Sequence, residues 1–271
     1  MKKLILLLSL FITNISTACD RVKINNSNVT FEGTPENPIT GAEFEKVINS
    51  IPKKENIKSL YIYGVVTVPP NVLSNLPNLR IIRINGLPLN EITLAPGAFN
   101  NLLAITTIEI VNTNFLEDVL NTELPTLKKL AVINCNLTAI PNLNNFPNLT
   151  EVEFIDNPLT NLTALCQPHK SIKKFAFDRN QDGTSSKYNF ILPDGAFNNW
   201  INLSNVVFND AVIALEGVAF EGVPKSERPT PLPAISLNVH TCECLNNVGQ
   251  QLTNLGLHHE NICKLRADCN H

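Results

Sequence analysis

Apolar and polar positions recur along this chain about every 22–31 residues, in the form L-x-x-L-x-L-x-x-N/C-x-L. Leu127, Leu130, Val132, Cys135, Leu137 and Ile140 fill one copy. Leu149, Val152, Phe154, Asn157, Leu159 and Leu162 fill the next, 22 residues on. Seven segments begin near Ile57, Leu79, Ile105, Leu127, Leu149, Ile172 and Leu203, and each is apolar at its first, fourth and sixth positions. A spacing of two is the period of a strand, so the fourth and sixth side chains point inward from a short parallel sheet. The ninth position holds Val65, Leu87, Thr113, Cys135, Asn157, Asn180 and Ala211. Cys135 can stand in there for Asn as a small group with a weak donor. The non-Asn turns are otherwise expected to rely on water or backbone, which predicts an irregular array.

The flanks read differently. Residues 19–33 predict an irregular first strand region, with Val22, Ile24, Val29 and Phe31 alternating imperfectly. Thr40 and Glu43 form a capping box. Phe44, Val47, Ile48 and Ile51 follow at helical spacing, predicting an amphipathic helix over 41–51 that Pro52 ends. Pro96-Gly97-Ala98-Phe99 and Asp194-Gly195-Ala196-Phe197 are near copies, and Val218-Ala219-Phe220 is a looser one. Their Phe side chains are expected behind the sheet. Pro224 to Pro233 is proline-rich and breaks the pattern. Ile235, Leu237 and Val239 read as a last strand, followed by Cys242-Glu243-Cys244 and, near the end, Cys263 and Cys269.

The recurring pattern resembles the leucine-rich repeat signature. That resemblance implies an α/β fold: a leucine-rich repeat solenoid, with a parallel sheet curved into a horseshoe and a short irregular convex side. It divides the chain into a signal peptide (1–18), an N-terminal cap with a helix (19–56), about seven repeats (57–223) and a C-terminal cap (224–271). The C-x-C and two later cysteines are similar to the C-terminal cap of extracellular members. In them the pairing would be Cys242–Cys263 and Cys244–Cys269, whereas sequence alone allows three pairings. More narrowly, the G-A-F segments and the leading helix resemble arthropod secreted proteins similar to the non-catalytic subunit of shrimp luciferin monooxygenase. No luciferase chemistry follows from this. Cys19, Cys135 and Cys166 are left over. Cys135 is expected to be a buried thiol, and Cys166 lies on the outer part of its repeat.

Residues 1–18 read as a signal peptide, with Lys2 and Lys3, an apolar stretch from Leu4 to Ile12, and Ser16 and Ala18 at the cleavage spacing. The rival reading is a lipoprotein signal acylated at Cys19. Export predicts an extracellular, disulfide-bonded glycoprotein, with sequons at Asn25, Asn28, Asn136, Asn148, Asn161 and Asn202. Glycans at Asn136, Asn148 and Asn202 would fringe the edges of the sheet. No apolar run is long enough to span a bilayer. A net charge of -3 and scattered Lys and Arg argue against a nucleic-acid footprint.

No catalytic motif stands out, so the chain reads as a non-enzyme without a cofactor. His169, His240, His258, His259 and His271 read as exposed or structural, and a zinc site at His258 or His259 does not suit an exported protein. Asp178, Asn180 and Asp182 match half of a calcium loop, but the twelfth position is Asn189 rather than Glu. The fifth and seventh positions of the repeats face outward. They bring Val111, Ile133 and Ile155 into an apolar stripe, with Tyr61, Tyr63, Arg83, Glu109 and Glu153 around it. An apolar patch with a polar rim marks an interaction site. The sequence therefore points to a secreted protein-binding module using its concave face. The alternatives are an accessory subunit of a secreted enzyme complex and an innate-immune recognition protein.

Overall fold

The computed structural model describes residues 21–86, 92–114, 117–178, 189–193, 195–197, 200–203, 205–209, 212–215 and 234–238. In chain order these form β1 (Val22–Asn25), β2 (Asn28–Gly33), α1 (Gly41–Ser50), β3 (Ser59–Gly64), β4 (Thr67–Val68), β5 (Ile81–Asn85), β6 (Thr93–Leu94) and β7 (Thr107–Val111). They continue with β8 (Lys129–Ile133), β9 (Glu151–Ile155), β10 (Lys174–Asp178), β11 (Asn189–Leu192), β12 (Asn205–Asn209), β13 (Val212–Leu215) and β14 (Ala234–Asn238). The fold is α/β. Ten strands make one open sheet in the order β1-β2-β3-β5-β7-β8-β9-β10-β12-β14. Among the described residues, only the β1–β2 pair of this sheet is antiparallel.

Register follows the apolar pattern. Leu60, Ile82, Ile108, Leu130, Val152 and Phe175 lie side by side, as do Ile62, Ile84, Ile110, Val132, Phe154 and Phe177. All are buried. A slip of one residue would turn each such row to solvent, which fixes the alignment. Each large side chain in these rows contributes on the order of 1.5–3 kcal/mol by leaving water. Behind the sheet, β4 pairs with β6 and β11 with β13, both parallel. Single 3-10 turns such as Val72–Asn75 and Leu143–Asn145 supply Leu73 and Leu143 to the core from that side.

The capping box of α1 forms. The Glu43 N–H donates to Thr40 Oγ1 (3.3 Å) and the Thr40 N–H to Glu43 Oε2 (3.0 Å). That second bond, ahead of Arg21, holds the Glu43 carboxyl below its ordinary value. The helix packs against β4 and the Val72–Asn75 turn, and Phe44 stacks on Phe31 with ring centroids 4.2 Å apart. The first strand region is more regular than the sequence suggests. It is a hairpin whose second strand joins the main sheet in register with β3. Val29 and Phe31 enter the core, while Ile24 on the edge strand is 47% exposed. An antiparallel edge strand has one side without a neighbour to bury it.

The G-A-F segments behave as expected. Ala98, Phe99, Ala196 and Phe197 are fully buried. Phe197 and Trp200 meet edge to face at 5.1 Å, and both meet Phe175. The Trp200 indole N–H donates to Gln167 O (2.9 Å). The looser copy at 218–220, the proline-rich segment and all four cap cysteines lie outside the described residues, as do Cys19 and the signal segment.

Candidate functional site

Side chains of the odd strand positions leave the sheet on the face opposite the core. Cross-strand partners there are Val111 with Ile133 and Ile133 with Ile155. All three are half-buried, so the stripe forms as a contiguous row across β7, β8 and β9. Asn85 flanks it on one side, and on the other Ile155 pairs in register with Asp178 of β10. Tyr63 continues the same row beyond Asn85 and is 38% exposed.

The adjoining row runs Tyr61, Arg83, Glu109, Ala131, Glu153, Ala176. Its charges are paired. Arg83 Nε donates to Glu109 Oε2 (3.1 Å), and Lys129 Nζ to Glu153 Oε1 (3.0 Å). Ala131 sits between the two carboxylates and is buried. The site is thus an apolar row bordered by two ion pairs, with a small residue forming a dip between them. Half-exposed pairs of this kind contribute about 0–1 kcal/mol to stability. They set the charge pattern a partner meets.

Lys129 is absent from the residues that the sequence points to, because it occupies the third position of its segment and not the fifth or seventh. The third position shares their phase, and it also carries the Lys174–Glu151 pair (3.3 Å). Beside the apolar row, Asn134 Nδ2 donates to Asn112 Oδ1 (2.6 Å), and Asn112 Nδ2 to Asn85 Oδ1 (3.4 Å).

The ninth positions reveal how the strands end. Asn157 Nδ2 donates to Ile155 O and to Val132 O, both at 2.8 Å, while its Oδ1 accepts from Cys135 N (3.2 Å). Cys135 Sγ reaches the equivalent carbonyls, Ile133 O (3.2 Å) and Ile110 O (3.7 Å). Thr113 Oγ1 donates to Val111 O (2.9 Å). Thr113 therefore satisfies its turn with its own hydroxyl, not through water or backbone alone. Burial pushes the Cys135 thiol up to about 11. Neither Cys135 nor Cys166 is joined in a disulfide.

His169 is buried and structural. Its Nε2 lies 3.2 Å from Phe146 O, and its Nδ1 accepts from the N–H groups of Ser171 (3.4 Å) and Ile172 (3.3 Å). Those two donors fix the neutral tautomer, and burial lowers the ring's pKa. The other four histidines lie outside the described residues, as do Asn180 and Asp182. Among the described residues, no cluster of three His, Cys, Asp or Glu is placed to hold a metal ion.

The sequon asparagines differ in how their amides are used. Asn148 Nδ2 donates to Pro125 O (2.7 Å), Asn202 Nδ2 to Lys170 O (2.6 Å), and Asn136 Nδ2 to Asn114. Asn161 instead accepts through Oδ1 from the Thr163 N–H and hydroxyl (3.1 and 2.7 Å). Asn25 ends β1 beside the hairpin turn and is exposed, and Asn28 is half-buried in β2. Among the described residues, no helix is long and apolar enough to cross a membrane. No known family model matches the chain, and no curated protein matches it.

Proposed function

We propose that this protein is an extracellular, non-enzymatic leucine-rich repeat module that captures a protein partner. The ten-stranded sheet would be the inner wall of a repeat horseshoe, with the outward face as its concave side. One observation carries the reading. Val111, Ile133 and Ile155 make an in-register apolar row that the chain's own fold leaves half-open. A row of β-branched side chains bordered by paired charges suits an apolar anchor with a polar rim on the partner. The apolar leader at residues 4–12 and the sequons support an exported protein.

The test is capture of a partner from native secretions by crosslinking, followed by Ile133→Asp with Ile155→Asp. The double variant should lower affinity about 100-fold or more, as loss of a central anchor does. Its circular dichroism should match the parent, because both positions face away from the core. Unchanged capture by a folded double variant would remove this face as the site.

A further inference from the structure

The geometry points to a second binding surface: a groove for a sulfated polysaccharide along the edge of the sheet where the strands begin. The chain's cations look scattered in sequence, but the register gathers several of them here. Arg80 N donates to Lys58 O (2.8 Å), Thr106 N to Arg80 O (2.8 Å), Lys128 N to Thr106 O (2.9 Å), Thr150 N to Lys128 O (2.8 Å) and Lys173 N to Thr150 O (2.9 Å). Six residues from six successive repeats thus stand in single file, and four of them are cations. Lys170 joins the far end.

A cleft of about 630 Å³ opens along this file. Arg80, Lys128, Lys170 and Lys173 line it, with Thr106 and Thr150 between them. Among the described residues, no carboxylate lines it. The contrast with the neighbouring outward face is one of partners. Lys129 and Lys174 take Glu153 and Glu151 there. Arg80, Lys128 and Lys170 are exposed and take no carboxylate among the described residues. Three such cations gathered without counter-charges create a positive potential that draws a polyanion.

Spacing and lining choose among polyanions. Lys128 is two strands from Arg80 on one side and two from Lys173 on the other, roughly 10 Å each way at the usual strand separation. That is about the length of two linked pyranose rings, so one sulfate per disaccharide would meet each cation. Among the described residues, no aromatic side chain lines the cleft, and an aromatic is the stacking platform that a single-stranded nucleic acid needs. Its hydroxyls and amides suit sugar oxygens. The proposal rests on the extracellular reading above, because such polysaccharides are found outside cells, but it does not use the outward face.

The full-length secreted protein should bind a heparin dodecasaccharide in isothermal titration at physiological salt, more weakly as salt rises. Arg80→Gln, Lys128→Gln and Lys173→Gln together should weaken binding at least tenfold. Lys129→Gln with Lys174→Gln, and Ile133→Asp with Ile155→Asp, should leave it within twofold. Failure of the protein-capture test would therefore not touch this result. No heparin binding overturns the proposal, as does equal loss in the Lys129 and Lys174 variant. Equal affinity for desulfated heparin or for a single-stranded oligonucleotide overturns it as well. Asn148 and Asn202 also line the cleft. A glycan on either in the native protein would fill the groove and overturn the proposal.

Discussion

Strands β3 and β5 end differently from β7, β8 and β9, although all five carry the same apolar pattern. In the first pair the chain leaves through glycine. Gly64 has φ 75°, and a Cβ built on it would stand 1.9 Å from Gly33 O. A Cβ on Gly86 would stand 1.9 Å from Asn112 O. In the second group the same position holds Asn112, Asn134 and Asp156 at φ 51°, 48° and 52°. Asn and Asp tolerate that left-handed region better than other side-chain-bearing residues. The next residue then closes the turn with a side-chain donor: Thr113, Cys135 or Asn157. The exits of β3 and β5 are thus held by close backbone approach, and those of β7, β8 and β9 by side-chain hydrogen bonds. A repeat needs its exit satisfied, and two different chemistries do this.

Gly64 is the most sensitive of these exits. Gly64→Ala should cost about 3–5 kcal/mol, because left-handed strain and a backbone collision add together. Chemical denaturation would measure it. A loss below about 1 kcal/mol would mean that the glycine exit is adaptable.

Asn157→Ala should cost about 2–4 kcal/mol, since Val132 O loses a buried donor and Cys135 N a buried acceptor. Asn157→Asp should be nearly as costly, because a carboxylate cannot donate to Val132 O or Ile155 O. If Asp proved as stable as Asn, the donated bonds would not be what holds this exit.

The Cys135 exit should respond to alkali. Its thiol ionises near 11 in the folded chain, against an ordinary 9.0. The folded state therefore holds a proton that the unfolded state has lost, and stability falls as pH rises from about 9 to 11. The loss reaches about 2–3 kcal/mol at the top of that window. Subtracting the profile of Cys135→Ala isolates it, and identical slopes in the two proteins would contradict the assignment. Thr113 and Asn157 have no such dependence, so alkali separates this exit from its neighbours.

The parts of the fold legible in the sequence are those that repeat at fixed spacing. The inward rows followed from two-residue alternation, and α1 from the Thr40–Glu43 box. The glycine exits were hidden because they lie one position ahead of the ninth. Val65 and Leu87 read as simple loss of the Asn, while Gly64 and Gly86 had already changed the turn. Of the candidate site, the Val111–Ile133–Ile155 row was legible once the register was assumed. Its ion pairs were not, because Lys129 and Glu153 lie 24 residues apart and meet only across the β8–β9 pairing, from a third and a fifth position. The basic file at the strand starts was hidden for the same reason: pairing places Arg80 beside Lys58 and brings Lys128 and Lys173 into line.

Trp200 gives this molecule an optical asymmetry. It is the chain's single tryptophan, buried against Phe175 and 6.1 Å from the ring of His169. Tyr61 and Tyr63 stand far along the sheet on β3. Indole emission therefore reports the surroundings of β10, and two of the chain's three tyrosines report β3. Protonation of His169 would place an imidazolium, an efficient quencher, beside the indole. Because burial lowers the pKa of that ring, emission should persist below the pH at which an exposed histidine would extinguish it. With Tyr188 changed to Phe, two colours from one chain can then tell whether β3 and the surroundings of Trp200 melt together or in turn.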